Sequence, residues 1–233
     1  MSTYDERIKY AVKHTEILRA PKQSLYTFGT TIIRYYIVTE PAYSELIEDV
    51  TETVVREGRV IAERPKIVTP HYLFNLEGFS TEARSYLEAL ITEHGAAPAG
   101  LLYSYKNEPE GLNIISDDWR AVVDRINADI DKRGDPLAAI IKGEDELWDV
   151  SLMKFICEVT GSSVEDNLRQ MSSRGLLKVD SAGIPADARL RIEELFKMVT
   201  GGGREPVELK DELDRWGLFE EYQDRFFNLF RKR

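Results

Sequence analysis

Residues 26–39, YTFGTTIIRYYIVT, constrain the fold more than any other stretch of this chain. β-branched and aromatic residues dominate it, which is strand chemistry. Apolar side chains occupy both odd and even positions, so both faces of the strand need cover. A strand of that kind belongs in the middle of a sheet with a layer of structure on each side.

The neighbouring stretches read as partners for it. Residues 53–62 suggest a hairpin with Glu57-Gly58 as a two-residue loop, a register that opposes Val55 to Val60 and Arg56 to Arg59. Residues 8–18 and 66–69 supply further strand candidates, with Pro21, Pro41, Pro65 and Pro70 at turns and edges. The expectation is an antiparallel sheet of three to five strands.

From residue 80 the apolar period becomes helical. Ser80 caps a stripe of Ala83, Tyr86, Leu87, Leu90 and Ile91 that stops at Gly95. Residues 101–105 and 112–115 suggest a looser hairpin around 106–111. Asp117-Asp118 opens a helix carrying Val122, Val123, Ile126 and Ile130, ended by Gly134. Residues 135–141 read as a short helix, with a buried strand as the alternative. In residues 147–160, Trp148, Leu152, Phe155, Ile156 and Val159 form one apolar stripe. Val150, Met153 and Cys157 form a second, which places the helix between neighbours. Gly161-Ser162-Ser163 reads as a break before another helix. Pro185 starts a helix with Ala188, Ile192, Leu195, Phe196 and Val199, ended by three glycines at 201–203. The last segment, 205–233, is amphipathic and broken at Gly217.

The expected class is therefore α+β: an N-terminal antiparallel sheet within a β-rich region at 1–78, then a mainly helical region at 79–233. The change near 78 is either a domain boundary or a seam inside one domain.

Whole-chain chemistry narrows the function classes. A chain of 233 residues with a single cysteine has no intrachain disulfide framework, and it holds no apolar run of membrane-spanning length. Its N-terminus lacks the layout of a signal peptide, so the expected location is the cytoplasm. The net charge of −10 lies wholly after residue 75, where 31 acidic side chains face 21 basic ones. That balance disfavours a broad nucleic-acid or anionic-membrane surface.

No motif fixes a reaction. His14, His71 and His94 have no metal-ligand spacing, Cys157 sits among apolar neighbours, and the triple glycine lacks the lysine of a phosphate loop. No catalytic residue, metal or cofactor is expected. Three surfaces are left. Residues 164–177, VEDNLRQMSSRGLL, resemble the recognition helix and following turn of a winged helix-turn-helix. That resemblance implies nucleic-acid contacts from Arg169, Gln170, Arg174 and Lys178. Asp166 at the centre of the outward face opposes it, and a structural helical hairpin is the expected reading. Arg34 with Tyr26 and Tyr36 forms a candidate ligand surface on the sheet. The C-terminal aromatics Phe219, Tyr222, Phe226, Phe227 and Phe230 offer more area than docking one terminal helix requires, which points to a homo-oligomer or protein-partner interface. The leading functional expectation is a non-catalytic, self-associating interaction protein. A winged-helix-like nucleic-acid regulator and a ligand-binding protein or enzyme using the Arg34 surface are the alternatives.

Overall fold

A computed structural model describes residues 3–43, 51–69, 72 and 100–231. The chain forms two compact units: Met1–Arg64 with Tyr103–Asn167, and Pro65–Leu102 with Leu168–Arg233. The expected helix at 80–95 and the expected boundary at 78/79 lie outside the described residues.

The first unit is an α+β layer structure. Helix α1 (Thr3–His14) leads into strands β1 (Glu16–Arg19), β2 (Thr31–Thr39) and β3 (Thr53–Ala62). Strands β4 (Lys66–Val68) and β5 (Gly100–Leu102) pair with each other in the second unit, and the chain returns to the first with β6 (Tyr105–Ile115). Helix α2 (Trp119–Arg133), strand β7 (Ala138–Lys142) and helix α3 (Trp148–Ser173) follow. The five-stranded sheet runs β1-β7-β2-β3-β6. As its composition requires, β2 is the central strand. Ile33, Tyr35 and Ile37 pack on one face against Leu152, Phe155, Ile156 and Val159 of α3. Tyr36 and Val38 pack on the other against Val122, Val123 and Ile130 of α2.

Several expectations are corrected. The sheet is mixed, because β7 lies parallel to β2. Residues 138–142 are thus a buried strand, the placement their AAII run favours once helices cover both faces. Residues 8–14 belong to α1, and only 16–18 of that candidate strand fall in β1. Glu57-Gly58 is no turn. β3 runs straight through it, and Gly58 is required because a Cβ there would lie 2.5 Å from the Tyr35 hydroxyl and 2.7 Å from the Glu108 carbonyl. Arg59 consequently faces Arg34 across β2–β3 rather than Arg56. Residues 105–115 form one edge strand in place of a hairpin, and Pro109 is tolerated there because an edge leaves one row of backbone groups unpaired. A bulge inserts Glu110 into that strand, where it reaches Arg59 Nε at 2.6 Å and Arg34 Nη1 at 3.8 Å. The bulge thereby offsets the repulsion of two facing arginines.

The expected break at 161–163 is also absent. α3 continues through it, although a mid-helix glycine costs about 1 kcal/mol relative to alanine. Of the three small residues, only Ser163 is buried. Ser163 returns its hydroxyl to the Val159 carbonyl at 2.6 Å and accepts the Leu25 amide at 3.0 Å. Asn167, fully buried, donates to the Leu25 carbonyl at 2.8 Å and the Thr27 hydroxyl at 2.9 Å, and accepts the Tyr103 hydroxyl at 2.7 Å. The segment leading into β2 is thus moored to α3 by polar groups. The second apolar stripe is not buried as expected, since Met153 and Cys157 are exposed.

In the second unit, helices α4 (Ala186–Thr200), α5 (Pro206–Arg215) and α6 (Phe219–Arg231) share a core with Val68 and Tyr72. Gly217, at φ 65°, makes the expected break between α5 and α6.

Candidate functional site

The three sequence-derived surfaces fare differently. Arg34 and Tyr36 lie two residues apart on one face of β2, while Tyr26 precedes the strand, its hydroxyl 3.4 Å from Gln23. The Tyr36 side chain is buried, and its hydroxyl accepts Arg133 Nη2 at 2.8 Å. Arg34 keeps its ion pair with Glu110. These residues do not converge on a common space.

A concave space in the first unit lies elsewhere, at the C-terminal ends of β2 and β7. It is an open cleft of about 1010 Å³ lined by the polar face of α1, including Tyr10 and His14, and by the segments after the two strands, 40–42 and 142–147. Parallel strands commonly present ligand sites at this end. Gly143 forms part of its wall, where a Cβ would collide with the Ser151 side chain. Behind it, Ser151 bonds the Thr15 hydroxyl at 2.8 Å, and Lys154 donates to the Val12 and Thr15 carbonyls at the end of α1. Asp145 accepts Arg56 Nη1 and the Thr39 hydroxyl, each at 2.7 Å. Arg7 pairs with Glu146, and Lys142 sits 3.7 Å from Glu40. Four of the lining charges, Arg7, Glu40, Lys142 and Glu146, are thus engaged with one another, and Asp145 is held by Arg56. Sequence reading missed this cleft because its walls come from three separated segments.

Arg169, Gln170, Arg174 and Lys178 are all exposed in the second unit, but the helix carrying the first two has no preceding turn. Beyond it, the chain turns at Gly175 and forms a single antiparallel bridge, Val179 to Pro185. Asp180 organises that turn. Hydrogen bonds from the Ile184 amide and then Arg189 hold its carboxyl below the usual aspartate range.

A buried carboxylate in the same unit is fully engaged. Glu212 accepts the Tyr72 hydroxyl at 3.2 Å and Trp216 Nε1 at 3.3 Å, with Lys66 at 3.5 Å and Arg215 at 3.6 Å. Burial, and next the Glu212 charge, push the Tyr72 phenol up. With both oxygens occupied, this cluster holds helices together rather than offering a reactive group.

Helix α6 divides its aromatics between two jobs. Phe226 is buried, and Phe219, Tyr222 and Leu229 pack against the same core. Glu221 pairs with Arg189, and Arg225 makes a two-point contact with Glu193 at 2.6 and 2.8 Å, so the inner flanks are tied to the unit. Phe227 and Phe230 remain 47% and 51% exposed. They share an outer stripe with Glu220, Gln223, Asp224 and Arg231, all exposed. Among the described residues neither acidic side chain has an ion-pair partner, and Arg231 reaches only Asn228, at 3.5 Å.

Among the described residues no group of three or more His, Cys, Asp or Glu side chains could hold a metal, and no helix is long and apolar enough to cross a membrane. His71 and His94 fall outside them. No family model matches the chain, and no curated protein or solved structure matches it either.

Proposed function

We propose that the protein is a non-catalytic, cytoplasmic interaction and assembly protein that associates with itself through the outer stripe of α6. The observation that carries this reading is the pair of half-exposed phenylalanines between unpaired acids at one end of the helix and an arginine at the other. An apolar centre with both charges on one strip complements a second copy of itself. The single cysteine supports the cytoplasmic assignment.

The stripe sets the strength. Burying the free half of four phenylalanines, about 100 Å² each, yields about 10 kcal/mol gross. Association costs about 4–15 kcal/mol, so the dimer is weak, with a Kd in the micromolar to millimolar range. Sedimentation velocity of the full chain from about 10 µM to 1 mM should show the sedimentation coefficient climbing with concentration. Phe227→Glu with Phe230→Glu should hold it at the monomer value. A wild-type chain that stays monomeric across that range refutes the proposal.

The alternatives have weaker support. Nucleic-acid binding through residues 164–178 lacks the turn that positions a recognition helix. Ligand binding at Arg34 lacks convergence, because Glu110 and Arg133 already engage Arg34 and Tyr36.

A further inference from the structure

We infer that the two copies meet with their α6 helices antiparallel about a two-fold axis, Asp224 of each beside Arg231 of the other; this rests on the self-association proposed above. The stripe has heptad spacing. Glu220 and Phe227 occupy one seam position, Gln223 and Phe230 the next, and Asp224 and Arg231 the flanking position that sets orientation in paired helices. At 100° per residue all six fall within about 120° of arc.

Asp224 and Arg231 lie 3.5 residues, about 5 Å, on either side of the level between Phe227 and Asn228. A two-fold axis through that level sets Phe227 against its own copy and brings each aspartate opposite an arginine. A parallel arrangement instead sets the two copies of Asp224, and of Arg231, on opposite sides of the seam, facing Phe219 and Phe226 of the other helix, so neither finds an opposite charge. Glu220, farther toward the N-terminus, lies on the Arg231 side of the second helix. The inner charges Glu221 and Arg225 already have partners in their own unit, which leaves only the outer set to choose an orientation.

The test is a charge swap on the full chain, read by sedimentation at about 50 mM salt, where surface charges are weakly screened. Asp224→Arg and Arg231→Asp should each weaken the dimer by about tenfold, since each converts two attractive pairs into repulsive ones. The double swap should restore wild-type association, and raising salt to about 500 mM should narrow the difference between wild type and the single variants. Circular dichroism on every variant confirms that α6 is retained. If the single swaps leave association unchanged while Phe227→Glu abolishes it, self-association stands and the antiparallel orientation is wrong. If the double swap fails to restore the dimer with its helix content intact, the orientation is likewise overturned. A wild-type chain that never dimerises removes the parent reading and this inference together.

Discussion

Asn167→Ala is the sharpest test of how the first unit is held together. The side chain is fully buried and makes three hydrogen bonds: two donated to Leu25 and Thr27, and one accepted from Tyr103. Truncation leaves a carbonyl and two hydroxyls without this partner inside the protein, and each costs about 1–3 kcal/mol if it stays unsatisfied. Alanine's better helix propensity returns about 0.5 kcal/mol. The net loss is about 3–5 kcal/mol, a large part of the 5–15 kcal/mol that typically stabilises a domain. Urea unfolding followed by far-UV circular dichroism reads this directly. With a slope of about 2 kcal/mol per molar, the midpoint should fall by about 2 M. Gln170→Ala, one helical turn away and exposed, should move it by less than about 0.3 M. If Asn167→Ala shifts the midpoint no more than that control at equal slope, the polar mooring of residues 24–27 to α3 is not what positions them.

Two further outcomes follow from close contacts and burial. Gly58→Ala should destabilise by about 1–3 kcal/mol, because the new methyl meets the Tyr35 hydroxyl and the Glu108 backbone; the same change in a Tyr35→Phe background should cost less, a non-additivity that urea melts of the four proteins would reveal. Burial pushes the Tyr103 phenol up to about 12 from its usual value of 10.0, so the folded state holds this proton where the unfolded chain has lost it. Stability from this group should therefore be full below pH 10 and decline between pH 10 and about 12. Tyr103→Phe should flatten that decline, and an unchanged alkaline slope would refute the assignment.

Periodicity read correctly wherever burial follows composition. The two-sided apolarity of 31–39 marked the central strand, and the Leu152–Val159 stripe marked the face of α3 that covers it. In the sequence both Gly58 and Gly161 read as punctuation, yet Gly58 answers to a tyrosine 23 positions earlier in the chain, while Gly161 lies in the middle of an uninterrupted helix with open space around it. A sequence window does not contain the side chain that makes a glycine necessary. Residues 135–141 read ambiguously for a different reason: a short apolar run suits a buried strand and a buried helix alike until its neighbours are known. At α6, amphipathicity announced an aromatic surplus. Which rings serve the core and which face outward depended on the packing angle of the helix, visible only once Phe226 was seen inside and Phe227 outside.

The insertion of β7 between β1 and β2 governs when this chain can mature during synthesis. Among the described residues β1 has no neighbour in the sheet except β7, and one whole edge of β2 waits for the same five residues. A nascent chain that has emerged only as far as residue 137 carries an unpaired first strand and a central strand open along one edge, both exposed to wrong partners. Committed folding of the first unit thus comes late, after more than half the protein has left the ribosome, and these long-range pairings make it slow for its size. Any fragment meant to retain the sheet must reach at least through Lys142, and one that must also cover it has to continue through the first turns of α3 to Val159.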